Sequence, residues 1–439
     1  MDGHFGARLY FLSWFLSEAY KMSKRILMLS HNAARDYHTD TLLVHELRKR
    51  GHHVWLNHFL QDDGNRISII KPDIVILPEI RCEYSRFLAE QCRSYGIQVV
   101  VKMCEFGISE ESLSLISPAY KQAIFGRFSV GHCVDKFLAW GPKMKTMMVE
   151  HMNIAPEKII VCGGFQFDAY FLPPPPKLKH DTDKKVILFA GGFPYADRNP
   201  EFSMPEAEAD DPVQAAFVQT DGSNRSKWLK FIPEFIKEFG DKWYVVVKPH
   251  PGERTAPYEM FMKGLEGKII LDVAGIHAIE GVDFVVHAGS TMAYEAYLRK
   301  IPSINFCNNC QDVVVSAISP CADTPEDFIS LFKEMTAGDT PVCAYNGTVL
   351  DVLHRDYYGT VDGQGYVRMA NAICDLPTAV TNVPDQWQYP QNADYPSKDV
   401  LSYVEQWKCD GCKHVYFVSV RNREMCKCPY CGIANIKVQ

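Results

Sequence analysis

The amino-acid sequence predicts an α/β chain in which two consecutive parallel-sheet domains face one another across a cleft, followed by a small cysteine-rich module. Three observations carry that expectation. Short apolar runs alternate with helix-length amphipathic stretches, the alternation stops at four consecutive prolines and restarts after them, and two C-x-x-C pairs stand near the end of the chain. Alternation of this kind lays strands side by side in parallel with helices on both faces. A length of 439 residues is also more than one ordinary core organises.

In order along the chain, an apolar strand is expected at 25–30, then a helix through Leu42, Val44 and Leu47, then strands at 53–57, 73–77, 98–102, 136–141 and 158–162. These make a first Rossmann-like domain over 24–172. Residues 173–184 begin with the prolines 173–176, which neither a helix interior nor a central strand accepts, and read as a linker. Strands restart at 185–190 and recur at 243–248, 269–271, 283–287 and 303–306, with a helix at 226–239, giving a second Rossmann-like domain over 185–375. The acidic stretch 194–224 reads as a surface loop, residues 376–400 as an extended connector, and 401–439 as the cysteine-rich module. Residues 1–23 form a leader. Its apolar stretch 9–16 follows acidic and histidine residues, lacks a small-residue cleavage site and is shorter than a membrane span, and Met22 is a candidate start.

Composition narrows the function classes. Hydrophobic residues make up 47% and charged residues 23%, the balance of a folded globular protein, and a formal charge of -7 without a long Lys/Arg block argues against nucleic acid as a partner. The 15 cysteines are odd in number and spread along the chain, unlike a secreted disulfide scaffold, which points to a reducing, cytoplasmic setting.

Three segments carry chemistry. Cys409 and Cys412 form one C-x-x-C pair and Cys428 and Cys431 a second, 15 residues apart, a spacing that fits four thiolates on one tetrahedral zinc with a strand at 415–420 between them. Four thiolates leave no open position, so this zinc ribbon is expected to be structural. Cys426 lies just outside the pattern, and Cys307 and Cys310 form a pair with no partner pair. The second segment is Lys248-Pro249-His250-Pro251 at the end of an apolar strand, the edge where open α/β sheets bind ligands, with Lys248 and His250 as donors for a phosphate. In the third, Gly289-Ser290-Thr291 follows the strand 283–287 and opens a helix. Free amides, two hydroxyls and the helix dipole there suit an anion, and Glu295 one turn on suits a ribose diol.

The Lys-Pro-His-Pro segment and Gly289 to Ala296, about forty residues apart in the second domain, resemble surface-polysaccharide glycosyltransferases of the GT-B fold: polysialyltransferases, Kdo transferases and CDP-glycerol glycerophosphotransferases. The resemblance covers roughly 24–375 and includes the strand-end segments 134–141 and 160–168. It implies that His250, Ser290 and Thr291 hold the phosphate of a cytidine nucleotide-sugar, with Lys248, Gly289 and Glu295 beside it. The acceptor it implies is a glycan or lipid-linked glycan, met in the cytoplasm or by peripheral contact at the inner face of the membrane. No DxD-type motif is present, so protein donors rather than a catalytic metal are expected to neutralise the leaving group. A base for the acceptor hydroxyl is sought among carboxylates at strand ends of the first domain. Glu105 is chosen over Glu79 and Asp36 because it follows the strand 98–102 and precedes a glycine, Gly107, resembling the acidic-residue-Gly segment of the relatives, although Phe106 stands where polysialyltransferases have a second acid. A nucleotide-sugar 2-epimerase of the same fold, and a nucleotide-binding scaffold using the ribbon to dock a protein partner, are the alternatives.

Overall fold

The computed structural model describes residues 23–31, 33–59, 63–80, 83–104, 130–180, 182–194, 196–197, 212–250, 253–270, 273–306, 317–338 and 340–387, with the strand residues 404–408, 415–419 and 436–437. The first domain is a six-stranded parallel sheet of order β2-β1-β3-β4-β5-β6. Its strands are β1 (Arg25–Ser30), β2 (His53–His58), β3 (Ile74–Leu77), β4 (Gln98–Lys102), β5 (Lys136–Ala139) and β6 (Ile159–Val161). Every residue of β3 and β4 is buried, as is all of β1 after Arg25, whereas the edge strand β2 alternates. Central strands of a parallel sheet are covered on both faces and therefore read as unbroken apolar runs, which is why they were visible in the sequence. Helices α1 (Ala33–Lys49), α2 (Asp63–Ile70), α3 (Glu83–Ser94) and α4 (Pro142–Met152) supply the crossovers.

The second sheet has the order β12-β11-β10-β7-β8-β9, again parallel throughout. It consists of β7 (Lys185–Ala190), β8 (Trp243–Lys248), β9 (Gly267–Ile269), β10 (Phe284–His287), β11 (Ser303–Phe306) and β12 (Cys321–Ala322). Between them lie α5 (Pro212–Phe239), α6 (Ala256–Met262), α7 (Gly275–Ala278), α8 (Met292–Leu298) and α9 (Pro325–Met335). One face of this sheet is an aromatic core in which Phe189, Trp228, Phe231, Phe235, Phe328 and Phe332 meet mostly edge-on, an arrangement favoured by the quadrupole of the rings. The expected pair of Rossmann-like domains is present.

Three details differ from the sequence reading. Helix α5 begins at Pro212, inside the stretch read as a loop. Pro212 sits in the first turn, where its fixed φ and missing N–H cost nothing, but residues 219–225, polar and including Gly222, interrupt the apolar pattern between Val218 and Trp228. Strand β9 starts two residues earlier than expected, at Gly267. The third concerns the chain after α9. Helix α10 (Gly347–Val352) starts beside the second domain, where the Asn346 amide donates to the Ile318 carbonyl at 2.8 Å, but α11 (Gly365–Cys374) and the segment to Trp387, assigned from sequence to the second domain and to an extended connector, pack on the first domain instead. Asp168 accepts the Tyr366 amide at 2.6 Å and Arg368 Nε donates to the Cys162 carbonyl at 2.6 Å. Lys24 Nζ donates to the Cys374 carbonyl at 2.8 Å, and the buried Trp387 meets Tyr95 edge-on at 5.5 Å. Helical periodicity states that a face is buried but not which sheet buries it.

In the last module, β13 (Val404–Lys408) pairs antiparallel with β14 (Val415–Ser419) and with β15 (Ile436–Lys437), so a strand stands where one was expected at 415–420. Cys409, Cys412, Cys426, Cys428 and Cys431 lie outside the described residues, as do Cys307, Cys310 and Glu105.

Candidate functional site

Because the strands of the second sheet are parallel, the loops after β7, β8 and β10 emerge at one edge, and their sequences hold them there. At the end of β8, Lys248 and His250 are both half-buried. The His250 amide donates to Glu253 Oε1 at 2.9 Å, the Phe193 amide donates to the same oxygen at 3.3 Å, and the Tyr258 hydroxyl donates to Oε2. One carboxyl group thereby ties the loop after β8 to the loop after β7 and to α6. Burial lifts Glu253 to about 7, against the pull of these hydrogen bonds. Gly191 and Gly192 close the arrangement. A Cβ on Gly191 would stand 2.7 Å from Glu253 Oε1 and 3.3 Å from the His250 nitrogen, and one on Gly192 would stand 2.1 Å from the Ala288 carbonyl. Only glycine lets three backbones come this close.

After β10 the turn takes Gly289 to φ 58°, and its amide donates to Asn305 Oδ1 at 3.2 Å. Ser290 Oγ accepts the Met292 amide at 3.3 Å, one of the orphan donors at the start of α8. Thr291 is the N-cap residue in helical conformation, and its side chain hydrogen-bonds the Glu295 carboxylate instead of capping. Glu295 is buried and also accepts from the Tyr170 hydroxyl of the first domain. Burial raises it above the usual carboxylate range, while Tyr170, Lys248, Thr291 and Arg35 pull the other way.

The structure therefore brings Lys248, Thr291 and Glu295 into one electrostatic neighbourhood and carries His250 on the adjoining loop. Sequence reasoning gave Glu295 to a ligand diol, and the structure gives its carboxylate two hydroxyl partners, one of them across the cleft. Sequence reasoning also missed Glu253, only two residues beyond the Pro-bracketed motif, and the glycine pair after β7. A Gly-Gly directly following an apolar strand was the signal available for the latter.

The first domain answers across the cleft. Arg35, His38 and Thr39 of α1 and Gln166 and Tyr170 of the 3₁₀ segment Phe165–Phe171 meet Gly275 and Glu295 around a small pocket open to solvent. His38 and His277 touch through their Nε2 atoms at 2.9 Å, linking α1 to α7. Arg299 donates to the Tyr170 carbonyl at 2.6 Å and lies over the ring at 5.0 Å. Deeper in the first domain are two ion pairs. Asp36 takes Arg35 through both oxygens, at 2.7 and 3.1 Å, and Asp40 takes Lys102, both of these last being fully buried. Burial works to raise Asp36, but Arg35, Lys102 and His31 outweigh it and hold the carboxyl below its ordinary range. Of the other carboxylates considered as bases, Glu79 is buried at the end of β3.

One cluster among the described residues has metal-ligating chemistry: His31, Asp36 and Cys104, whose ligand atoms lie within 4.8 Å of one another. None of the described helices is long and apolar enough to cross a membrane.

No protein-family model matches the chain, and no curated protein sequence does. Several solved structures are similar. UDP-GlcNAc 2-epimerase from Neisseria meningitidis, bound to UDP-GlcNAc, aligns over 79% of this chain and 99% of its own with 12% identity and a TM-score of 0.46. The wall teichoic acid polymerase TagF aligns over 80% of this chain and 88% of its own, with 11% identity and a TM-score of 0.46. The spinosyn rhamnosyltransferase SpnG, complexed with spinosyn aglycone, aligns over 80% and 97% with 11% identity and a TM-score of 0.33. At these identities and scores the likeness assigns no role to any residue here.

Proposed function

We propose that the chain is a glycosyltransferase that binds a nucleotide-activated sugar at the loop edge of the second sheet and passes the sugar to an acceptor held by the first domain. The observation that carries this reading is the convergence of the loops after β7, β8 and β10 beneath a cleft closed by the first domain. Lys248 and Thr291 stand beside Glu295, which bridges to Tyr170, and His250 and Ser290 lie on the same loops as further candidates for the phosphate. Donors fixed in advance suit the charge that grows on a leaving phosphate.

In the reaction the acceptor hydroxyl oxygen forms a bond to the anomeric carbon as the bond from that carbon to the phosphate oxygen breaks. The nucleotide leaves with the electron pair, and the hydroxyl proton passes to a base. Lys248 and His250 stabilise the leaving phosphate, so this reading asks for no metal at the phosphate. Glu105 remains the residue proposed as base, two positions past the last described residue but one of that segment. A cytidine nucleotide, a surface glycan or lipid-linked glycan as acceptor, and a structural zinc on Cys409, Cys412, Cys428 and Cys431 complete the proposal.

Isothermal titration against CMP, CDP, UDP and GDP tests it. Selective binding of one nucleotide, weakened about tenfold or more in His250→Ala (about 1.4 kcal/mol), is the expected result. Absence of binding to all four, or a silent substitution, overturns the reading. Release of free nucleotide from a nucleotide-sugar with no acceptor present would assign the cleft to epimerisation instead.

A further inference from the structure

The transferase reading leaves unused the three unlike side chains at the loop edge of the first sheet. His31 follows β1, Asp36 lies in the first turn of α1, and Cys104 stands two residues past β4. Strands β1 and β4 flank β3, and the order in which the strands are laid down reverses between β1 and β3, the place where an open parallel sheet leaves a crevice for ligands. The three ligand atoms lie within 4.8 Å of one another, and Asp36 and Cys104 line one small space together with Lys102.

We propose that His31, Asp36 and Cys104 bind one divalent transition-metal ion of the zinc class. An imidazole, a carboxylate and a thiolate form a borderline donor set, which suits zinc or cobalt and is wrong for magnesium or calcium. Three protein ligands leave a fourth position for water or a substrate oxygen. Thr39 and Gln166 line both this space and the interdomain pocket, so the ion would stand beside the acceptor side of the cleft.

The charges around the site balance with and without the ion. Without it, the carboxylates of Asp36 and Asp40 are matched by Arg35 and Lys102. Binding exchanges two positive charges for two. The Arg35 guanidinium leaves Asp36, the thiol proton goes to solvent, and the ion takes their place. Asp36, Asp40 and the Cys104 thiolate then balance Lys102 and the ion. Arg35 has room for the move, because its side chain is 27% exposed and already lines the interdomain pocket. In this reading the guanidinium occupies the ion's electrostatic place and competes with it. The proposal does not depend on the transferase reading.

The test uses the full chain, stripped of metal and titrated with Co²⁺, with zinc content measured in parallel by elemental analysis. The wild type should show a thiolate-to-cobalt absorption increment that Cys104→Ser removes, over and above any signal from the C-terminal cysteines, which both proteins share. Zinc content should fall by one equivalent in Cys104→Ser and likewise in His31→Gln, which stands in if the serine variant fails to fold. Arg35→Gln should tighten Co²⁺ binding about tenfold, because the competitor is gone. Identical zinc content and cobalt spectra in wild type, Cys104→Ser and His31→Gln would overturn the site, and so would an Arg35→Gln variant that binds cobalt no more tightly than wild type.

Discussion

The two sheet edges that face each other across the cleft are built on different physics. At the first, buried charges face other charges, Asp40 with Lys102 and Asp36 with Arg35, although burial still raises Asp40 above its ordinary range. At the second, backbone amides and hydroxyls converge on two carboxyl groups that burial pushes toward the protonated form, Glu253 and Glu295, with glycines giving the backbones room. An edge of matched charges is intolerant of losing one partner, because what remains is an uncompensated ion in a low-dielectric place. An edge of amides and glycines is intolerant of added bulk, because its function lies in how closely the loops approach.

The largest effect that would sharpen this contrast is expected at the first edge. Lys102→Met leaves Asp40 buried without its partner and should cost about 3–5 kcal/mol in denaturant unfolding, while the double change with Asp40→Leu should recover much of it. A double variant as unstable as the single one would show that the pair is not the unit. At the second edge, Glu253→Gln keeps the shape and removes the titration. The folded state holds Glu253 at about 7 against an ordinary 4.5. Below the lower value the group is protonated in both states and contributes nothing. As pH rises through the interval the unfolded chain ionises first, so folding stability declines, by roughly 3 kcal/mol once pH exceeds 7. The glutamine variant should flatten that decline. A wild-type profile that rises between pH 5 and 7 with no difference in the variant would remove Glu253 from the account. Asp168, lifted to about 6 by burial in the first domain, adds a decline of the same sign that the variant retains.

How much of this could be read from the sequence follows from the same contrast. Central strands announce themselves because both faces are covered, and so do the turns after β8 and β10, since Pro, Gly, Ser and Thr sit where their backbone geometry is needed. The first edge was opaque. Asp36 and Asp40 meet Lys102 across more than sixty residues, and nothing local marks a lysine that ends an apolar strand as buried. The same limit hid the return of residues 365–387 to the first domain, secured by Lys24 and Asp168, and the meeting of His38 with His277. Glu253, two residues beyond the motif, carries no local mark of burial, because what buries it is the approach of the Phe193 amide and the Tyr258 hydroxyl from other elements. The residue proposed as base, Glu105, and the four ribbon cysteines lie outside the described residues, and their roles remain proposals.

A smaller effect tests the claim about bulk. Gly192→Ala would drive a Cβ to 2.1 Å from the Ala288 carbonyl, a backbone atom that cannot rotate aside. The loops after β7 and β10 should part, and nucleotide binding by titration should weaken about tenfold. Gly222→Ala is the control: it lies within α5, its Cβ would meet nothing within 4 Å, and it should stabilise the protein by up to about 1 kcal/mol. Equal nucleotide affinity in the two variants would break the comparison.

The smallest effect lies where the two edges meet. His38 and His277 share one hydrogen bond, which requires that at least one ring be neutral, and burial lowers His38 below its ordinary 6.5. A lowered histidine stabilises the folded contact above 6.5 and loses that contribution as pH falls, because the unfolded or separated state takes up the proton first. Arg35 adds to the repulsion from the α1 side, whereas Glu295, itself raised by burial, loses its offsetting charge as pH falls. Lys248 adds positive charge from the end of β8. The contact should therefore loosen between pH 7 and 5, seen as a longer distance between fluorophores placed on the two domains. His38→Gln can still hydrogen-bond but cannot charge, so its distance should stay constant over the same interval. If the variant opens with acid as the wild type does, the contact between the edges is governed by Glu295 and Tyr170 rather than by the histidines.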